Sequence, residues 1–154
     1  MNLTIRFGLP AERAALEELQ RRASLMWAEY RAYLMANPEV IELPLAQLTQ
    51  RHVRVAEWEG RVAGFAALLP RDGFCELDGL FVKPDLWNRG IGRALIGDAL
   101  AIARATGAAA IETVANPRAE GFYGKLGFAV IGRTQTQFGA ANRMRLPCIE
   151  PASS

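Results

Sequence analysis

Two glycines flanked by arginines, in Asn88-Arg89-Gly90-Ile91-Gly92-Arg93-Ala94-Leu95, stand where the apolar run Leu80-Phe81-Val82 gives way to a helical pattern. Glycine has no Cβ, so the backbone there can come close to a ligand. The first N–H groups of a helix lack internal partners and carry partial positive charge, which suits phosphate oxygens. Arg89 and Arg93 add full charge beside them. The expected chemistry is the holding of a phosphate-bearing ligand. Upstream, Glu76 and Asp78 put two carboxylates on one face of a strand, unless a bulge intervenes, where a general base could sit. Downstream, Tyr123 offers a phenol, a proton donor at neutral pH because its ordinary pKa is about 10.

Spacing separates the families of phosphate site. A Walker loop needs G-x-x-x-x-G-K-[ST], and the chain has no such string. A dinucleotide fingerprint needs a third glycine where Leu95 stands; Glu112, 20 residues past Gly92, would be its acid, but the glycine turn follows the fourth expected strand rather than the first. Metal chemistry is not expected. Cys75 and Cys148 lie far apart, and the single histidine, His52, has no ligand-spaced partner. The net charge of +2 is too small to call for nucleic acid. Lys83 and Lys125 are the only lysines; the arginine bias fits either phosphate binding or genomic composition. No apolar run approaches the ~20 residues of a membrane span. The opening Met1-Asn2-Leu3-Thr4-Ile5-Arg6 has no signal-peptide pattern, so a cytoplasmic protein is expected.

The elements that must position these residues follow from periodicity and punctuation. A length of 154 residues predicts one domain, 1–154. A strand over 3–7 is followed by Pro10 at a helix start. Leu16, Leu19, Ala23 and Met26 recur at helical spacing, in two consecutive helices breaking near Ser24 and ending at Asn37-Pro38. Residues 38–50 read as a loop with a short turn. A hairpin turns at Glu59-Gly60, and the strand 74–82 ends before Pro84. A helix from about Gly90 to Ala105 is stopped by Gly107. The strand 108–115 leads to Asn116-Pro117, an N-cap and first-turn proline for the helix 117–126. Segments 128–133 and 142–147 close the sheet, with the glycine-containing stretch 134–141 between them. This order predicts an α/β or α+β fold whose sheet mixes parallel and antiparallel pairs.

The chain resembles the GNAT superfamily of N-acetyltransferases. Trp87-Asn88-Arg89-Gly90-Ile91-Gly92 matches its [QR]-x-x-G-x-[GA] signature except at the first position, where Trp87 replaces Gln or Arg. The stretch from Asn116 to Phe128 matches the later motif N-x-x-A-x-x-F-Y-x-x-x-G-F throughout. The resemblance covers about residues 3–147 and is least specific over 20–50, where such enzymes choose their acceptors. It implies a mostly antiparallel sheet with a central, splayed parallel strand pair, flanked by helices. It implies acetyl transfer from acetyl-CoA, with no metal, to a primary amine of a small molecule or peptide by direct attack in a ternary complex. A homodimer is expected by the same analogy.

Residue by residue, the resemblance puts the pyrophosphate on Asn88, Arg89, Gly90, Ile91, Gly92 and Arg93. The pantetheine arm runs along Leu80, Phe81 and Val82 like an added strand. Gly79 is expected to mark a bulge, and an amide near Leu80 to face the thioester oxygen. Asn116 holds the arm, caps the following helix, or does both. Tyr123 protonates the leaving thiolate, with Phe122 turned to the core. Glu76, Asp78 or a water chain serves as base, Glu76 being the candidate carried forward. Trp27, Tyr30 and Leu34 share a helical face that lines an acceptor cleft or packs the core, Tyr33 lies off it, and Glu42 could meet an ammonium. Two other readings stay open: a CoA-binding sensor without turnover, and a toxin-type relative acetylating aminoacyl-tRNA, for which a basic face would be needed.

Overall fold

A computed structural model describes residues 2–148; the two ends of the expected domain, Met1 and residues 149–154, lie outside the described residues. Seven strands form one sheet: β1 (Leu3–Phe7), β2 (Val53–Trp58), β3 (Arg61–Pro70), β4 (Cys75–Val82), β5 (Ala110–Ala115), β6 (Ala129–Thr136) and β7 (Gly139–Pro147). Their order across the sheet is β1-β2-β3-β4-β5-β7-β6. The pairs β1–β2, β2–β3, β5–β7 and β6–β7 are antiparallel, while β4–β5 is the parallel pair. Five α-helices accompany the sheet: α1 (Arg13–Leu25), α2 (Ala28–Ala36), α3 (Leu45–Thr49), α4 (Ile91–Ala105) and α5 (Glu120–Lys125). This is the mixed α/β architecture that the element order predicts.

The chain divides into two compact units, one built from residues up to Ala67 together with Gly79–Ile96, the other from Leu68–Asp78 and residues from Gly97 onward. The first unit holds β1, β2, α1–α3, the beginning of β3, the end of β4 and the start of α4. Its core is Leu16, Leu19, Leu43, Leu48, Val53, Val55, Phe65 and Ala67, with Val62 and Phe81 packed against it. The break between helices falls at Met26-Trp27, two residues beyond the expected Ser24, and leaves Met26 half exposed rather than on the buried stripe. Residues 38–50 are more ordered than a loop. They carry a 3-10 turn (Pro38–Val40) and α3, which buries Leu48. The β2–β3 hairpin turns as expected on Glu59 and Gly60, both left-handed (φ 53° and 79°), the backbone that matches strand twist in a two-residue loop. Arg6 ties β1, β2 and the turn at Pro10–Glu12 together through Glu57 and Glu12.

The second unit holds the start of β4, most of α4, and β5, α5, β6 and β7. The parallel register covers Cys75–Leu77 against Ile111–Thr113 and ends there, while β5 continues to Ala115. The glycine-containing stretch 134–141 is mostly paired strand, with Gln137-Phe138 forming the turn. Gly139 (φ 113°) supplies the left-handed residue at that turn. Helix α5 starts at Glu120, three residues later than Pro117 suggested, because the carbonyl and side-chain oxygen of Asn116 both accept the Ala119 N–H and hold 117–119 as a turn.

Candidate functional site

In the first unit, β4 ends at Val82, a 3-10 turn covers Pro84–Leu86, and α4 begins at Ile91. Between them Asn88 and Gly90 both adopt left-handed backbone (φ 66° and 81°) around Arg89. Alternating backbone handedness of this kind turns successive N–H groups into one concavity, a nest for anions. The Gly90 carbonyl accepts the Ala94 N–H at 3.0 Å. Gly90 is thus the N-cap, and the amides of Ile91, Gly92 and Arg93 lie in the first helical turn without intrahelical partners. No acid occupies that turn to neutralise it. Asn88, Arg89, Gly90 and Arg93 are exposed, and a Cβ added to Gly90 would meet nothing within 4 Å. The glycine is needed for its φ and leaves open space where an anion would approach. These six residues, Asn88 to Arg93, are brought together.

Trp87, which departs from the motif, has a structural place. Its indole Nε1–H donates to the Val82 carbonyl at 2.8 Å, closing the turn against the end of β4. Its ring stacks on Trp27 with centroids 5.6 Å apart and planes 22° apart.

Along the end of β4, the Lys83 N–H donates to the Ala63 carbonyl of β3 at 2.8 Å. The Phe81 carbonyl presses so closely on β3 that a Cβ at Gly64 would stand 2.7 Å from it. Backbone groups alternate in direction along a strand, so Leu80 and Val82 aim theirs at the opposite edge. Phe81 turns its backbone to β3 and its ring to Phe65, 5.4 Å away. Since Trp87 occupies the Val82 carbonyl, the groups Leu80 and Val82 offer at that edge are the Leu80 N–H and C=O and the Val82 N–H. Gly79 is not left-handed; it seats the Phe81 ring, whose Cε2 would lie 2.7 Å from a Cβ there.

In the second unit, the Glu76 carboxylate accepts Arg71 Nε–H at 2.8 Å and is half-buried, while Asp78 is exposed. Glu76 pairs in register with Glu112 of β5, so the two acids are neighbours across the parallel strands. Glu112 is itself bound by Arg145 (2.6 Å) and Arg143 (3.4 Å), a structural commitment that leaves no support for the dinucleotide reading.

Tyr123 is buried and Phe122 is 38% exposed, which reverses the expected assignment of Phe122 to the core. The reason is tertiary: Tyr123 packs edge-on against Phe128 at 5.2 Å and hydrogen-bonds to Thr113. The Thr113 hydroxyl also donates to the Leu77 carbonyl at 3.0 Å, which fixes it beside the phenol. Burial pushes the phenol up to about 12, keeping it protonated at all physiological pH. Thr113 is the site neighbour that sequence reasoning missed. The available signal was a hydroxyl in the inward set Ile111, Thr113, Ala115, all buried. Asn116 is half-buried and caps the turn before α5.

The remaining candidates differ in burial. Leu34 is buried, Tyr30 half-buried and Tyr33 exposed; Glu42 pairs with Arg13 at 3.4 Å. Cys75 and Cys148 are buried thiols, and the His52 N–H donates to the Gln47 carbonyl. Among the described residues no cluster of His, Cys, Asp or Glu is placed to hold a metal, and no helix is long and apolar enough to cross a membrane.

The first unit thus carries a strand that leads into a left-handed nest at a helix N-terminus, and the second carries a buried phenol on a short helix. The model of the acetyltransferase (GNAT) family matches residues 14–128, and the chain belongs to that family. It is 41% identical over 59 residues to the peptidyl-lysine N-acetyltransferase YjaB of Salmonella typhimurium, a match covering 38% of this chain and 39% of that protein. The PaiA N-acetyltransferase of Thermoplasma acidophilum, solved in complex with coenzyme A, shares the fold with a TM-score of 0.77 at 21% identity, over 96% of this chain and 99% of that one. The solution structure of apo YjaB from Escherichia coli superposes with a TM-score of 0.67 at 26% identity, over 98% and 100% of the two chains.

Proposed function

We propose that the protein transfers an acetyl group from acetyl-CoA to a primary amine, and that the amine is a lysine side chain of a peptide or protein. The observation that carries the reading is the nest at Asn88–Gly90 opening onto the first amides of α4. The acceptor class rests on the likeness to a peptidyl-lysine N-acetyltransferase.

In this reading Asn88 to Arg93 hold the pyrophosphate through backbone amides, with Arg89 and Arg93 adding charge. Leu80 and Val82 pair with the pantetheine arm, and the Leu80 N–H donates to the thioester oxygen as negative charge develops on it. Glu76 accepts the proton that the ammonium must lose before attack, with Asp78 on the same strand face as the alternative base. Asn116 steadies the arm from β5. As the C–N bond forms and the C–S bond breaks, nitrogen sheds one proton and sulfur gains one, so amide and thiol leave in balance. Tyr123 supplies the proton that sulfur gains, and the phenolate recovers one from solvent. A homodimer of single-domain chains working in the cytoplasm, without metal, membrane or nucleic acid, belongs to the same proposal.

The test is thiol release from acetyl-CoA with lysine peptides and with small amines. Release dependent on a lysine peptide supports the reading; binding of acetyl-CoA with no release from any amine would favour a sensor. The Tyr123–Thr113 bond motivates that second reading, since a sensor whose phenol only packs the fold would bind acetyl-CoA equally well as Tyr123→Phe.

A further inference from the structure

We propose that Trp27 and Trp87 form a positioning pair, by which the break between α1 and α2 holds the phosphate-binding turn in shape and the turn in return fixes the start of α2. The inference rests on the acetyltransferase reading and deepens it by assigning residues to the coupling of cofactor and acceptor.

Trp87 is joined to three things at once. Its backbone directly precedes Asn88, the first left-handed residue of the nest, and its indole N–H is held by the Val82 carbonyl at the end of β4. Its ring lies against Trp27 at 5.6 Å, nearly parallel. Trp27 is the N-cap of α2, in extended backbone (φ −89°, ψ 113°), and its side chain makes no capping hydrogen bond there. Its carbonyl accepts the Tyr30 N–H at 3.0 Å, starting the helix that carries Tyr30, Tyr33 and Leu34. A shift of the Trp87 ring must therefore move Asn88 on one side and the first turn of α2 on the other. Asn88 is in left-handed backbone, which asparagine tolerates better than most residues but which still has to be selected over its ordinary conformations. The stacked indoles, with the bond to Val82, fix the residue that leads into it. Gln or Arg at position 87 would remove the indole that stacks on Trp27, so the departure from the family signature and the tryptophan at 27 belong to one contact. Coupling of this kind is reciprocal: whatever acetyl-CoA gains from an ordered α2, the acceptor gains from an occupied turn.

The experiment measures the acetyl-CoA Kd by calorimetry, and KM for acetyl-CoA and for a lysine peptide, in wild type, Trp27→Leu, Trp27→Phe and Trp87→Phe. An aromatic stack of this size predicts a roughly three- to tenfold weaker acetyl-CoA Kd in Trp27→Leu, although Trp27 lies 60 residues from the turn. Trp27→Phe, which keeps a stacking ring, restores most of the loss. Trp87→Phe keeps a ring but loses the N–H and weakens acetyl-CoA binding as well. In each weakened variant the peptide KM rises with the acetyl-CoA Kd. The exciton couplet of paired indoles in circular dichroism reports the stack, present in wild type and absent from Trp27→Leu. Wild-type Kd values in folded Trp27→Leu and Trp87→Phe would overturn the pair, as would a wild type lacking the couplet. Should Trp27→Leu fail to fold, the two phenylalanine variants decide the matter alone. A wild type that binds no acetyl-CoA would instead overturn the acetyltransferase reading, and the pair with it.

Discussion

At the scale of residues, the two most informative positions are Gly90 and Tyr123. Gly90 has φ 81° and open space at its Cβ position. Alanine there meets backbone strain of about 1 kcal/mol and projects a methyl toward the anion. Gly90→Ala is thus expected to lower stability slightly and to weaken acetyl-CoA binding at least tenfold, a disparity that calorimetry and thermal melts together would reveal. For Tyr123→Phe, loss of the donor to sulfur predicts a fall in kcat of roughly a hundredfold or more with little change in the acetyl-CoA Kd. The same phenol gives a pH signature. Its folded pKa, about 12, lies above the ordinary 10. Its contribution is therefore fully present below pH 10 and is lost as pH rises from 10 through 12, by up to roughly 3 kcal/mol. Urea melts of wild type across that range should decline faster than those of Tyr123→Phe. The Phe122–Tyr123 pair also marks a limit of sequence reading. Both are aromatic, adjacent and on a six-residue helix, and only the ring of Phe128 and the hydroxyl of Thr113 decide which one turns inward.

At the scale of elements, the entry to α1 depends on Glu12. Its carboxylate accepts both terminal guanidinium nitrogens of Arg6 (2.9 and 2.8 Å) and the Leu9 N–H (2.9 Å), linking β1 to the turn that starts the helix. The Arg6 guanidinium, through its hydrogen bonds, holds the Glu12 carboxyl below its ordinary value. A depressed carboxyl stabilises the fold above its unfolded pKa and loses that contribution as pH falls through the folded value. Glu12→Gln is expected to cost about 2 kcal/mol at neutral pH, a drop in Tm of roughly 4–8 °C, and to flatten the acid limb of the stability profile. The elements themselves were mostly legible: hairpin, long helix and strand ends follow from apolar period, Gly and Pro. Where reading and structure differ, a long-range partner decided. Residues 134–141 read as a stretch between the closing strands, and their pairing comes from the partner segments: 134–136 pair with 139–141, and Asn142–Pro147 pair with β5.

At the scale of the whole molecule, ligand linkage is the broadest test. Acetyl-CoA at ~100 times its Kd should raise stability by about 2.7 kcal/mol, several degrees in a melt, with NADH giving no shift. A shift with NADH and none with acetyl-CoA would overturn the acetyltransferase reading. The sequence by itself determined the family, the mixed fold, and the turn at Asn88–Gly90. These depend on local constraints, since a left-handed residue, a helix cap or a strand period is set by a few neighbouring side chains. Tertiary structure alone decided which backbone edge of Leu80–Val82 points away from β3, that Glu76 lies beside Glu112, that Thr113 holds Tyr123, and that Trp87 stacks on Trp27. Each of those depends on strand register or on a contact between residues distant in the chain, and neither periodicity nor motif spacing carries that information.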